Sequence, residues 1–332
     1  MRTRRKTWAI VLAAGDGTRL ATLTTDDCGN AVPKQFCSLS GGNSLLHEAL
    51  QRARRIVPRG RVCAIVARQH ERYWRPTLRS LPRRNVIVEP RNCGTANGVL
   101  HGVLRILERD PHARIIFLPA DHYVRNELPL ANSMRAAATL LTRGYEGLLL
   151  VGIEPDDVDP ELGYIVPGAP VGDGTRRVAQ FIEKPAVPVA RELIARGAVW
   201  NSFIFAAQAA ALLALIRARL PAAVDGMTKA RARDLRRGQD SFALDELYER
   251  LPTTDFSRSV VQNAESVLRV LTTGACGWTD LGTPRRVAKV LQLLPKTRVR
   301  GSSASRRPIA AFVNLAAQYA RLGMINGYAS GN

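Results

Sequence analysis

The stretch Leu12-Ala13-Ala14-Gly15-Asp16-Gly17-Thr18-Arg19-Leu20 places two glycines and an arginine directly after an apolar run. The glycines permit a tight turn and let main-chain N–H groups come close to an anion. Arg19 adds a planar fork of donors that fits a phosphate. The spacing is neither that of a Walker loop nor that of the dinucleotide fingerprint, since Leu20 stands where a third glycine would be. Taken alone it also fits a plain turn carrying a surface arginine. Lys34, stiffened by Pro33 in Val32-Pro33-Lys34-Gln35-Phe36, would supply a second cation to the same phosphate cluster. Asp121 closes the apolar run Ile115-Ile116-Phe117-Leu118, an odd place for an acid. It either caps the next segment or projects a carboxylate into a crevice.

Those residues need a scaffold, and the apolar pattern predicts one. Runs 8–14, 62–67, 86–88, 115–118 and 148–153 read as buried strands. Between them 44–56, 94–108 and 131–143 carry apolar residues at helical spacing. The alternation predicts an α/β fold, Rossmann-like and doubly wound, with a mostly parallel sheet. From Pro155 the texture changes: GYIVPG and VAQFIEKP read as short strands of a small antiparallel insertion. Helical patterns return at 188–196, 208–219 and 284–293. In a doubly wound sheet ligands bind beyond the carboxyl ends of the strands, so the Gly15 turn and Asp121 are expected to face one crevice.

The formal charge of +20 would suit a polyanionic partner, but six of the 48 basic residues are lysine and the arginines are scattered. No stripe with interleaved aromatics marks a nucleic-acid surface, and no nucleic-acid partner is expected. The five cysteines, Cys28, Cys37, Cys63, Cys93 and Cys276, form no C-x-x-C pair, which predicts a reducing, cytoplasmic setting without disulfides. The apolar run 8–14 is read as the first core strand and not as the centre of a signal peptide. The run 205–216 is too short to span a bilayer, so no membrane association is expected. GSSASRRP at 301–308 reads as a polar linker. Beyond it Ile309, Phe312, Val313, Ala316, Tyr319 and Ala320 would line one face of a C-terminal helix, either docked on its own domain or forming a homodimer contact.

LAAGDGTRL followed by VPKQF resembles the opening signature of the sugar-1-phosphate nucleotidylyltransferases, and the Gln35-Phe36 pair is similar to the branch that guanylylates mannose 1-phosphate. The resemblance continues through EPRNCGTANGVL (89–100), PADHYV (119–124), GYIVPG, FIEKP, WNSFIF and GWTDLGTPRRV (277–287), covering residues 8 to about 293. It departs from the family pattern at Thr22, where proline is usual, at Phe203, where glycine is commoner, and in a longer 21–31 segment. The isomerase domain of longer, two-function relatives is expected to be missing.

The resemblance implies a nucleotidyltransferase domain over residues 1–300, its nucleotide-binding half about 1–150 and its sugar-binding half about 151–300. It implies nucleotide contacts from Ala13, Ala14, Gly15, Gly17, Thr18, Arg19, Gly94 and Thr95, with the backbone of Gly94 and Thr95 at the base. Gly163, Glu183, Lys184 and Asn201 would hold the sugar phosphate. Asp121 and Asp280 would share a Mg²⁺, a hard ion suited to carboxylate and phosphate oxygens. Arg19, Lys34, Asp121, Lys184 and Asp280 would carry the catalysis, with GTP and mannose 1-phosphate as substrates. Two alternatives stay open: the same chemistry with TTP or UTP and glucose 1-phosphate, or a catalytically silent nucleotide-sugar-binding regulator. The parts played by Asp16 and His122 are not fixed by the sequence.

Overall fold

The computed structural model describes residues 6–25, 29–238 and 241–294 of the 332. The strands are β1 (Thr7–Ala13), β2 (Val62–Ala67), β3 (Val86–Glu89), β4 (Arg114–Pro119), β5 (Tyr123–Val124), β6 (Leu148–Ile153), β7 (Gly163–Pro170), β8 (Arg176–Glu183), β9 (Val199–Gln208), β10 (Leu268–Thr273) and β11 (Trp278–Thr279). The helices are α1 (Leu45–Arg54), α2 (Glu71–Thr77), α3 (Thr95–Leu107), α4 (Glu127–Thr142), α5 (Val187–Ala195), α6 (Ala209–Arg219), α7 (Pro221–Arg237), α8 (Phe242–Tyr248) and α9 (Pro284–Leu293). The expected strands and helices of the first half are all present. The C-terminal helix expected over 309–320, with its dimer contact, lies outside the described residues.

One nine-stranded sheet runs in the order β3-β2-β1-β4-β9-β6-β10-β8-β7. β1, β2, β3, β4, β6 and β10 point the same way, because β9 opposes both β4 and β6. The chain steps outward from β1 to β3, then returns to place β4 on the other side of β1. The loops after β1 and β4 therefore open at a reversal of strand order, where such sheets bind ligands.

Alternation along the strands feeds two cores. Ala9, Val11 and Ala13 of β1 belong to a core that also takes in α1, α2, α4 and α9, whereas Trp8 and Ile10 belong to a second core that takes in α3, α6, α7 and α8. Both faces of β1 are covered, which explains its unbroken apolar character. The antiparallel part is not a separate layer. β7 and β8 extend the same sheet, and β9 enters its middle. The apolar run 205–216 spans the end of β9 and most of α6. Among the described residues no helix is long and apolar enough to cross a membrane.

Phe117, fully buried on β4, stacks on Phe205 of β9 with ring centroids 4.9 Å apart, and Phe205 stacks in turn on Phe256 at 4.9 Å. This column joins the parallel half to the reversed strand. Phe117→Ala is expected to cost about 3–5 kcal/mol, read as a shift of the denaturant midpoint at unchanged slope. A loss below about 1 kcal/mol would show that the column does not hold the two halves together.

Candidate active site

The turn after β1 is held from below by a residue whose role the sequence did not reveal. Gln35, buried, donates from Nε2 to the carbonyls of Ala13 (2.9 Å) and Gly15 (2.7 Å). Gly17 has φ +65°, and a Cβ there would lie 2.9 Å from the Lys34 backbone nitrogen. The glycine turn and the Lys34 segment are thus packed backbone to backbone. Thr18 and Arg19 follow in a short 3₁₀ turn. Asp16 accepts from Gln69 (3.1 Å) and Asn92 (3.0 Å), with His70 Nε2 at 3.3 Å, so it ties the ends of β1, β2 and β3 together.

Asp121 and Asp280 are brought together by the smallest element in the fold. β5 pairs antiparallel with β11, Tyr123 opposite Thr279 and Val124 opposite Trp278. The ladder continues in hydrogen bonds from Arg125 N–H to Gly277 and from Asn126 N–H to Cys276. Asp121 sits just before β5 and Asp280 just after β11, so antiparallel pairing puts them at the same end of the ladder. The Lys34 ammonium lies 3.0 Å from Asp121 Oδ2, donates to the Asp280 carbonyl, and has the Leu281 carbonyl at 3.5 Å. One cation therefore already bridges the two acidic residues.

The two carboxyls differ electrostatically. Burial opposes ionisation of Asp121, but the Lys34 ammonium and hydrogen bonds outweigh it and hold the carboxyl below its usual range. Burial dominates at Asp280 and lifts its carboxyl, against the pull of Lys34 and the Gly282 N–H, with Asp121 adding to the rise. Asp280 Oδ1 accepts from the Gly282 N–H (2.8 Å) and from Arg286, whose guanidinium also pairs with Asp159. Burial pulls that guanidinium down to about 10, so it stays charged at neutral pH. His122 is pushed down to about 3 by burial and packs edge-on against Trp278 at 5.1 Å, a neutral buttress.

The donor set fits a hard divalent ion. The Asp121 and Asp280 carboxyls are near enough for the charge of one to act on the other, and among the described residues no group of three or more His, Cys, Asp or Glu could cage an ion alone. Such an ion would take its remaining ligands from bound phosphates, as Mg²⁺ does in phosphoryl-transfer sites. Burial pushes the Cys37 thiol up to about 12 and the Cys63 thiol up to about 11, so neither supplies a thiolate.

The residues expected at a sugar lie together on the other side of the crevice. A Cβ on Gly163 would meet Glu183 Oε2 at 2.5 Å and the Asn201 side chain at 3.2 Å. Glu183 Oε2 is buried without a protein partner, and burial, reinforced by Asp255, pushes that carboxyl up to about 7. Asn201 is engaged at both ends: Nδ2 donates to Ser257 Oγ (3.3 Å) and Oδ1 accepts the Phe203 N–H (3.1 Å). Lys184, exposed, adopts φ +52° and donates its N–H to the Leu162 carbonyl at 3.2 Å.

The Gly94-Thr95 start of α3 is covered by a segment the sequence did not link to it. Ala96 N–H donates to the Thr254 carbonyl (3.0 Å), and Thr95 Oγ1 accepts the Phe256 N–H (2.8 Å). A Cβ on Gly94, at φ +86°, would lie 2.4 Å from the Thr254 oxygen. Beneath them Glu89 is fully buried, accepts from Tyr248 Oη (2.8 Å), and is pushed up to about 8 by burial.

An acidic connector between β6 and β7 runs along the site. Glu161 pairs with Arg19 at 3.1 Å, Asp159 with Arg286, Asp157 with Arg285 at 3.7 Å and Asp156 with Lys289 at 2.9 Å. An open depression of about 450 Å³ lined by Leu140, Arg143, Tyr145, Glu146, Asp173 and Arg269 lies at the opposite, amino-terminal end of β6 and β10, away from this chemistry.

The fold and this arrangement define a class: an α/β protein with a glycine turn and two acidic residues joined by a buried lysine at the switch point of its sheet. The family described as nucleotidyl transferase matches residues 8–296, and the chain belongs to it. It is 29% identical over 280 residues to the xanthan biosynthesis protein XanB of Xanthomonas campestris pv. campestris, covering 82% of this chain and 57% of that protein. It is 26% identical over 282 residues to a mannose-1-phosphate guanylyltransferase of Salmonella muenchen, covering 82% and 57%. A crystal structure described as a mannose-1-phosphate geranyltransferase from Thermus thermophilus superposes with a TM-score of 0.73 at 32% identity, over 86% of this chain and 78% of that one. The chain spans 57% of the length of the first curated relatives it matches.

Two expected outcomes follow from this geometry. Gly15→Ala meets no atom within 4 Å and should melt like the parent while weakening nucleotide binding, whereas Gly17→Ala should lose about 1–2 kcal/mol of stability as well. Melting curves and nucleotide titrations of both variants check this; equal melting temperatures would refute the backbone contact. For Glu183, the folded protein holds its proton up to about 7, the unfolded chain only to about 4.5. Between those values the folded state binds more protons, so this group's contribution to stability falls as pH rises. Glu183→Gln should therefore gain on the parent in melting temperature across that window and hold the gain above it; parallel curves would contradict the burial of this carboxyl.

Proposed function

We propose that the chain transfers a guanylyl group from GTP to mannose 1-phosphate, releasing pyrophosphate and giving GDP-mannose, with Mg²⁺ as the metal. The observation that carries this reading is the Lys34 ammonium bridging Asp121 and the Asp280 backbone against the glycine turn. The similarity to a mannose-1-phosphate guanylyltransferase over 82% of this chain supports the choice of substrates. The four described cysteines are free and buried, in keeping with a cytoplasmic setting.

An oxygen of the sugar phosphate attacks the α-phosphorus of the triphosphate in line. The bond from α-phosphorus to the α–β bridging oxygen breaks, and its electron pair leaves with pyrophosphate. The attacking phosphate has its second pKa near about 6, so it is ionised at neutral pH and needs no general base. The chain's task is to position two polyanions and offset their repulsion. N–H groups of the turn from Ala13 to Thr18 and the Arg19 and Lys34 cations receive the triphosphate. Gly94 and Thr95 stand at the base, with Gly94 held in its left-handed conformation by Thr254. Lys184 meets the incoming phosphate, and a sugar hydroxyl donates to the unpartnered Glu183 Oε2. Asp121 and Asp280 would hold Mg²⁺, which supplies charge neutralisation at the α-phosphate when bound.

The test is pyrophosphate release by the purified chain with Mg²⁺, each nucleoside triphosphate and each sugar 1-phosphate. Release is expected with GTP and mannose 1-phosphate and to fall about 10²-fold or more in Asp280→Asn at unchanged circular dichroism. Turnover only with TTP or UTP and glucose 1-phosphate would replace the substrates proposed here. Nucleotide-sugar binding without turnover on any pair would mark a regulator.

A further inference from the structure

Phe203 occupies a backbone conformation that an aromatic residue avoids. Its φ is +57°, in the left-handed region where a bulky side chain is an outlier. The residue lies in a break of the β6–β9 ladder: Val151 pairs with Ile204 and Gly152 with Asn201, leaving Ser202 and Phe203 without partners on β6. Three side-chain bonds lock the break. Buried Ser202 donates to the Val151 carbonyl (2.6 Å) and accepts the Ile204 N–H (3.1 Å), while Asn201 Oδ1 accepts the Phe203 N–H (3.1 Å). Strain held in place by its surroundings in this way concentrates at functional sites.

The ring has a definite position. It stands edge-on to Phe205 (5.8 Å) and Phe256 (6.0 Å), both of which are buried, whereas Phe203 itself stays partly exposed. Phe256 binds Thr95 through its N–H, and Asn201 packs on Gly163 beside Glu183. The partly exposed ring therefore stands between the α3 start and the Glu183 side, which the proposed reading assigns to the base and the sugar. Aromatic faces at such positions present a flat apolar surface to a pyranose ring while excluding water.

We propose that Phe203 is the specificity-determining wall of the sugar pocket, its ring packing against the hexose of the bound nucleotide sugar. This rests on the nucleotidyl-transfer reading above and names the residue that sets its sugar selectivity. A merely structural role, capping the Phe205–Phe256 stack, would change stability without distinguishing ligands that differ only in the hexose.

The experiment compares the parent with Phe203→Gly and Phe203→Leu by calorimetric titration with GDP-mannose and with GDP, alongside melting curves. Glycine suits the left-handed backbone, so Phe203→Gly should stay folded. It should weaken GDP-mannose by about tenfold or more and GDP by less than about twofold, with Phe203→Leu between. Equal weakening of both ligands, or of neither, in a folded variant overturns the proposal. The same comparison with UDP-glucose against UDP and TDP-glucose against TDP separates the two claims. A parent that binds one of these sugars instead of GDP-mannose removes the guanylyl reading, and the wall then stands or falls on that pair. A folded parent that binds no nucleotide sugar overturns both.

Discussion

Lys34 places a positive charge where the sheet has little water to offer it, and the local structure is arranged around that constraint. A buried ammonium is tolerable only when acceptors surround it. Its acceptors come from two turns remote in sequence, the Asp121 carboxylate and the carbonyls of Asp280 and Leu281. Neither turn is free to drift. The first is pinned by β4 and β5, the second by β11 and by the left-handed Leu281, whose N–H donates to Thr279 Oγ1. The glycine turn joins the same assembly through its backbone contact with Lys34. One charge thus fixes the relation of three loops that the sheet alone would only bring near each other.

The two acids in that assembly are not equivalent. Asp121 faces the ammonium directly and a third of its side chain meets solvent, so it stays ionised. Asp280 is more deeply enclosed, and its carboxyl pairs with Arg286, which it shares with Asp159. The geometry of one acid is thereby tied to the connector between β6 and β7, and through it to the start of β7 at Gly163.

Much of this was legible in the residues and some was not, for physical reasons. Strands buried on both faces announce themselves as unbroken apolar runs, so β1, β2, β4 and β6 were readable, whereas their order in the sheet was not. β9 was not, although the helix that follows it was read at 208–219: the apolar end of the strand runs straight into that helix, and the run 205–216 carries no break between them. β5 and β11 have two residues each, too few for any pattern, yet they bring Asp121 to Asp280. α7 is rich in arginine and alanine and shows its apolar positions only once packed. Gln35, Arg286, Glu161 and the 252–256 segment act through partners remote in sequence, which no local spacing encodes. Asn201 was read as a candidate sugar residue, and its bond to the Phe203 N–H at the ladder break was not legible.

The pair between Arg19 and Glu161 has its own consequence. Both side chains are about half exposed, 57% and 47%, and such pairs contribute only about 0–1 kcal/mol. A phosphate arriving at Arg19 does not meet a bare cation; it exchanges with a carboxylate already in residence. The mouth of the crevice is accordingly less attractive to a stray inorganic anion than the chain's overall charge of +20 implies. On the proposed reading, a ligand carrying several phosphates, able to engage the turn and Lys34 together, would gain on such competitors, since it does not rely on the contested contact alone.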